Sequence, residues 1–300
     1  MIDPIEIFWQ PAGISLPTLG ARALVDVTDG DTPNIRMPVR MLSVDTPEVT
    51  ARTVEGAARV DAKLAELAGW MREGRAPVSA AYAEHLLPRL EGAGTRQFGQ
   101  GKQASAFLQQ RTEARLTRPG GERRSLFVRT ADQPFDDNGR LLAYVAPSYS
   151  RTELATLPRA ERATFNLDLV EAGWAAPFVI FPSVPGELDY PLFIAAAASA
   201  LAAGRGIWED PLTLPAYEYR AVEKLHGITA RLVDGADLTA AERIAWRSRY
   251  CADVRSRRLH GPEDFVAIPP PYRLWLWPDD VQDAVARLNL VPAPRLVGAD

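Results

Sequence analysis

Cysteine is almost missing from this chain: Cys251 is the single one in 300 residues. One thiol can form neither an internal disulfide nor a cysteine zinc cage, so disulfide-stapled and zinc-ribbon scaffolds are excluded. The three histidines, His85, His226 and His260, are scattered without metal-ligand spacing, and no Ser/His/Asp order suggests a nucleophilic triad. The longest apolar run, Leu192 to Ala203, is Ala-rich and interrupted by Ser199, short of the roughly 20 residues that span a bilayer. A membrane span is therefore not expected. Charge of one sign is lacking too, since 34 basic against 38 acidic residues leave −4, which excludes a polyelectrolyte or a generically basic nucleic-acid coat. The start, Met1-Ile2-Asp3-Pro4, has no cationic and apolar blocks of an export signal, and the expected location is cytoplasmic. What is present is a 47% hydrophobic share, enough for a real core, and 25 prolines, which imply many rigid turns.

Along the chain, Ala23, Val25 and Val27, then Ile35, Met37, Val39 and Met41, alternate as strands do. Thr28-Asp29-Gly30-Asp31-Thr32 lies between them and reads as a hairpin turn, because glycine accepts the positive φ that a tight turn needs. From Val54 the pattern becomes Val60, Leu64, Leu67, Met71, one face of a helix. A second helix is expected over about Ser79 to Leu90, breaks at Gly92, Gly94 and Gly99, and a third helix over Lys102 to Leu116. Strands are expected over Ser125 to Thr130 and Leu141 to Ala146, joined through Asp137-Asn138-Gly139. Asn166 is placed to cap a short helix ending at Gly173; Trp174 to Phe181 reads as a strand and Tyr190 to Ala203 as a small-residue helix. Strands and helices segregate in this order, which indicates an α+β fold.

Two carboxylates sit beside turns: Asp31 in the first hairpin, and Asp45 where the Val39 to Val44 strand runs out. Hard divalent cations prefer oxygen donors, and the Thr46 carbonyl next to Asp45 adds one without charge, so Ca²⁺ or Mg²⁺ is the expected ion. Glu48 follows the stiffening Pro47 and could take a proton from a nucleophile. Arg40 lies five residues before Asp45, on the opposite pleat face unless the strand bulges, and Arg140 opens the strand after Asn138-Gly139. Carboxylates, a hard cation and two guanidiniums suit hydrolysis of a phosphodiester, whose transition state gathers charge on phosphoryl oxygens.

Taken in order, Asp29-Gly30-Asp31-Thr32, Arg40 to Glu48, Gly101 to Phe107, Asn138 to Tyr144, Asn166 to Gly173 and Gly206-Ile207-Trp208 resemble the staphylococcal nuclease (thermonuclease) family over about residues 21–210. The resemblance implies a five-stranded OB-fold barrel with packing helices and a Ca²⁺-dependent endonuclease acting on DNA and RNA. It also implies that Asp31, Asp45 and the Thr46 carbonyl are metal ligands, Glu48 the general base, and Arg40 and Arg140 the transition-state-stabilising arginines. Most of residues 51–98 is extra relative to the family and reads as an inserted helical pair beside Glu48. The family's Lys-Tyr before the Gly-Arg turn is here Asp137-Asn138, and its tyrosine-rich segment is Trp174 to Val179, so aromatic stacking on substrate is not carried over.

Residues 1–210 are thus the expected nuclease domain and 211–300 an accessory region with 12 basic and 12 acidic residues. In that region Ala241 to Arg258 reads as an Arg-rich helix, with Arg243, Arg247 and Arg258 as candidate nucleic-acid contacts and Ile244, Cys251 and Val254 as its packing side. A mainly helical C-terminal region is expected, with a strand at Tyr272 to Trp277 and a last helix near Asp279 to Leu288. The expected partners are DNA and/or RNA and a regulatory protein, in a setting such as genome defence. The rival readings are an inactive OB-fold binding scaffold and a subunit active only in a complex.

Overall fold

The computed structural model describes residues 21–118, 120–186 and 188–293. The chain divides into two compact units, residues 1–40 with 130–143, and residues 41–129 with 144–300. In chain order the strands are β1 (Leu24–Val27), β2 (Pro33–Ile35), β3 (Val39–Met41), β4 (Ser43–Asp45), β5 (Leu126–Phe135), β6 (Leu141–Pro147), β7 (Ala176–Ile180), β8 (Tyr250–Asp253), β9 (Arg258–His260), β10 (Arg273–Leu276) and β11 (Val291–Pro292). The helices are α1 (Val54–Arg72), α2 (Ala80–Leu90), α3 (Ala93–Leu116), α4 (Arg151–Thr156), α5 (Phe165–Glu171), α6 (Tyr190–Ala202), α7 (Ala216–Val233), α8 (Ala240–Ile244) and α9 (Val281–Leu288). The fold is α+β, with sheets ordered β1-β2, β3-β6-β5 and β11-β9-β8-β10-β7-β4.

In the smaller unit, β1 and β2 form the expected antiparallel hairpin around Asp29-Gly30, with Thr28 N donating to Thr32 O at 3.0 Å. Arg22 ties the hairpin to the Asn138-Gly139 turn by donating to Gly139 O at 2.5 Å. Leu24, Val25, Val27 and Ile35 nevertheless remain 43–61% exposed. Alternation here marks strand geometry rather than burial.

The larger unit holds the core. Thr53 caps α1 by accepting from Gly56 N, and Leu64, Leu67 and Met71 are buried as their spacing requires. Ser79 caps α2 in the same way. The expected breaks at Gly94 and Gly99 do not occur, because both lie inside α3. Asp61 of α1 supplies the cap that Gly92 lacks, accepting from Gly94 N at 2.6 Å and from Thr95 Oγ1 at 2.5 Å. A side chain on Gly94 would fall 2.7 Å from Ala57 O, so that glycine marks the close packing of α3 on α1.

Thr164, not Asn166, caps α5. Asn166 is instead fully buried and links β6 to the β3–β4 junction, accepting from Val145 N at 3.1 Å and donating to Leu42 O at 2.8 Å. The Tyr190–Glu209 stretch does reach the length and apolarity of a membrane span, contrary to the sequence expectation. Its helix nevertheless ends at Ala202, and Gly204 follows with φ +59°. Thirteen helical residues extend only about 20 Å, short of a bilayer core. Phe193 and Ala197 of α6 are buried in the core that includes Leu169 and Val170 of α5, and Ala200 is buried too.

The Ala241 to Arg258 segment is the clearest departure. Only α8 is helical, and β8 and β9 follow as an antiparallel pair, Cys251 opposite His260 and Asp253 opposite Arg258. β10 then inserts between β8 and β7, antiparallel to the first and parallel to the second. Two ladder partners outweigh the local helical pattern, because Cys251 and Ala252 become fully buried. Ile244, expected to pack, is 44% exposed.

Candidate active site

The strand leading to Asp45 is not continuous. Backbone φ at Ser43 is +61°, a left-handed value that ends β3 at Met41 and restarts the chain as β4, so strict face alternation from Arg40 to Asp45 does not apply. β4 pairs antiparallel with β7, Asp45 opposite Ala176, and this carries the Asp45 side chain into the interior, 1% exposed. The chain then turns through Pro47 to Glu48, whose backbone N–H donates to Gln97 Oε1 at 3.1 Å. Gln97 is buried in α3 and passes its own N–H to Leu214 O at 2.5 Å, so one amide links the Glu48 turn to the start of the C-terminal region. Gly101, one helical turn further, lets α3 press against that turn: a Cβ there would lie 2.7 Å from Pro47 O and 2.8 Å from the Val49 side chain.

Both carboxylates meet one guanidinium. Arg220 of α7 donates to Asp45 Oδ1 at 3.1 Å and Oδ2 at 2.9 Å, a two-pronged fork, and to Glu48 Oε1 at 2.5 Å. Burial works against the Arg220 charge, yet Asp45 and Glu48 outweigh it and raise its pKa. Glu223, one turn along α7, is pushed up from its ordinary 4.5, first by burial and then by the charge of Glu48. The oxygen donors Asp45 and Thr46 suit a hard cation in type. In charge, two carboxylates against one guanidinium leave a single negative charge, so a cation there competes with Arg220. Among the described residues, no group of three or more His, Cys, Asp and Glu side chains forms a metal cage.

Asp31, Arg40 and Arg140 belong to the smaller unit, whereas Asp45, Thr46 and Glu48 belong to the larger. Asp31 is exposed in the β1–β2 turn and accepts from Thr32 Oγ1 at 3.1 Å. Arg140 opens the approach to β6 and is held by Asp136, its Nε at 2.7 Å from Oδ2 and its backbone N at 2.9 Å from Oδ1. Burial opposes ionisation of Asp136, but the Arg140 hydrogen bonds prevail and keep its carboxyl below the ordinary range. Arg40 lies half-buried in β3.

A family model described as "Staphylococcal nuclease homologue" matches residues 38–210, more than half of the chain. The chain belongs to that family. It is also 32% identical over 149 residues to Endonuclease YhcR of Bacillus subtilis (strain 168), an alignment covering 49% of this chain and 10% of that protein. The chain thus spans about a tenth of the length of that relative. The part of this staphylococcal nuclease homologue that the family model matches contains Arg40, Asp45, Thr46, Glu48 and Arg140. Asp31 precedes the match and Arg220 lies beyond it.

The three arginines expected on one helix do not share a face in this nuclease homologue. Arg243 turns back to donate to Leu238 O at 3.0 Å, Arg247 pairs with Glu263, and Arg258 lies exposed on β9. Trp246 in the same segment is 3% exposed, stacks on Tyr82 and donates to Pro77 O. Sequence reasoning missed Arg220, Gln97 and Glu223 altogether. Nothing in their local pattern sets them apart, since Arg220 meets Asp45 across 175 residues. Asp136 was findable: an acid four residues before Arg140, across an Asn-Gly turn, is placed to close it.

Proposed function

We propose that this chain is a metal-dependent phosphodiesterase that cuts DNA and/or RNA internally, with Ca²⁺ as its ion and Mg²⁺ as an alternative. The observation that carries the reading is the meeting of Asp45 and Glu48 at one guanidinium, at the two positions where the family resemblance places a metal ligand and the base. In this reading Glu48 takes the proton of the attacking water, and the fixed Glu48 backbone, held by Gln97 and pressed by α3, keeps that carboxylate in place. Arg40 and Arg140 bind the scissile phosphate and offset charge growing on its oxygens. Asp31, Asp45 and the Thr46 carbonyl would hold the cation, which supplies Lewis-acid polarisation of the phosphoryl oxygens. A five-stranded OB barrel carrying this set belongs to the same reading, as do residues 1–210 as the nuclease domain and 211–300 as its accessory region.

One observation favours a restrained enzyme over an unrestrained one: Glu48 and Arg140 each already have a tight intramolecular partner, Arg220 and Asp136. A cytoplasmic nuclease controlled by a protein partner, as genome defence requires, agrees with that. An inactive binding scaffold is the opposing outcome. The test is cleavage of single- and double-stranded DNA and RNA with Ca²⁺, Mg²⁺ or EDTA. Turnover that chelator abolishes, and that falls by orders of magnitude in Glu48→Gln and Arg140→Ala, is expected. Binding without turnover under every ion, or full activity in both variants, refutes the proposal.

A further inference from the structure

Beside the carboxylates lies a small cleft built almost wholly from residues beyond 210. Arg220, Lys224, Arg247 and Arg249 line it together with Trp246 and Trp275. Arg220 and Lys224 stand four residues apart on α7 and so on one helix face. The other wall comes from the stretch before β8 and from β10. Arg220 serves both places, since the guanidinium that grips Asp45 and Glu48 belongs to a side chain of the cleft wall.

The cleft offers donors. Lys224 is exposed and has no ion-pair partner among the described residues. The Arg249 guanidinium is seated over the Phe178 and Trp277 rings, 5.0 and 4.7 Å from their centroids, and Arg247 is steadied by Glu263. Trp275 is 3% exposed, and its indole N–H has no acceptor among the described residues. The acid on the wall, Glu218, is already taken by Arg273 at 2.6 Å and His85 at 3.0 Å. Guanidinium, ammonium and indole groups only donate, and their complement is a ligand that only accepts and carries negative charge.

We infer that this cleft is a binding subsite for one backbone phosphate of a nucleic-acid strand whose neighbouring phosphate lies at Asp45 and Glu48. The inference rests on the phosphodiesterase reading and assigns the C-terminal region the task of holding the strand beside the cut. An overall charge of −4 makes such a local gathering of cations the place where a strand is captured.

The experiment measures fluorescence anisotropy of a fluorescein-labelled single-stranded DNA of about 12 nucleotides on the full chain, in EDTA, over a salt series. Lys224→Ala, an exposed change that leaves the core intact, is expected to weaken binding about five-fold and to flatten the salt dependence by about 0.7 in log–log slope. Trp275→Phe keeps an aromatic ring but removes the indole donor, and a loss of about three-fold or more is expected with an unchanged far-ultraviolet circular dichroism spectrum. Unchanged affinity and slope in Lys224→Ala overturns the subsite. Displacement of the strand by inorganic phosphate at equal or lower concentration also overturns it, because the cleft would then be a free-phosphate site. Binding in EDTA needs no cleavage, so failure here leaves the Glu48→Gln assay to decide the nuclease reading, and loss of that reading leaves the binding result standing.

Discussion

Replacing Arg220 by Ala tests the central electrostatic arrangement. Its guanidinium makes three charge-assisted hydrogen bonds to two carboxylates, one of them, Asp45, with a side chain 1% exposed. Removing it leaves a buried negative charge beside a second one. Breaking a buried pair from one side costs about 3–5 kcal/mol, and the 30% exposure of the Arg220 side chain puts this case near the lower end, about 3 kcal/mol. For a unit of this size that corresponds to a fall in Tm of about 6–12 °C. The assay is thermal and urea unfolding of the native chain and Arg220→Ala, each in EDTA and in Ca²⁺. A cation can take the position the guanidinium vacates, so Ca²⁺ should stabilise the variant more than the native chain, by about 2.7 kcal/mol at a hundred-fold excess over Kd. Equal stability of the two proteins in EDTA would refute the claim that Arg220 balances the carboxylates. Equal stabilisation of both by Ca²⁺ would refute competition between Arg220 and the ion.

Gly101→Ala should destabilise by about 1–3 kcal/mol and lower cleavage further than stability accounts for, since its Cβ would collide with Pro47 O at 2.7 Å and displace the Glu48 turn; unfolding and kcat measured together check this. For Glu218, burial favours the neutral acid, but the Arg273 charge and the His85 contacts prevail and hold its pKa below the ordinary 4.5. The unfolded chain therefore binds the proton more tightly, and the stability Glu218 contributes is present above about pH 4.5 and lost as pH falls through the depressed folded value. Urea midpoints across this range should drop less steeply in Glu218→Gln, and an identical slope would count against the buried network.

Signals carried by near neighbours were legible. Val60, Leu64, Leu67 and Met71 mark a helix face whatever lies opposite, but the cap expected at Asn166 falls to Thr164. The Asp29-Gly30 turn needs only its own backbone. Gly94 and the arginines after Ala241 misled for one reason: their local preference was decided by a partner elsewhere. α3 runs through Gly94 because Ala57 and Asp61 of α1 lie against it, and β8 is extended because β9 and β10 flank it. At the site, Asp45 and Glu48 could be named from their block, whereas the guanidinium between them could not.

By itself, then, the sequence determined the α+β class, the first hairpin turn, the buried face of α1, and the acidic and basic residues set beside turns, since each depends on residues within a few positions of one another. The tertiary structure alone decided that Arg220 closes on Asp45 and Glu48, and that β10 enters between β8 and β7. The first spans 172 and 175 residues of chain, and in the second β10 meets β7 across about a hundred. Charge pairing and strand pairing act over a few ångströms in space and leave no period in the chain from which they can be read.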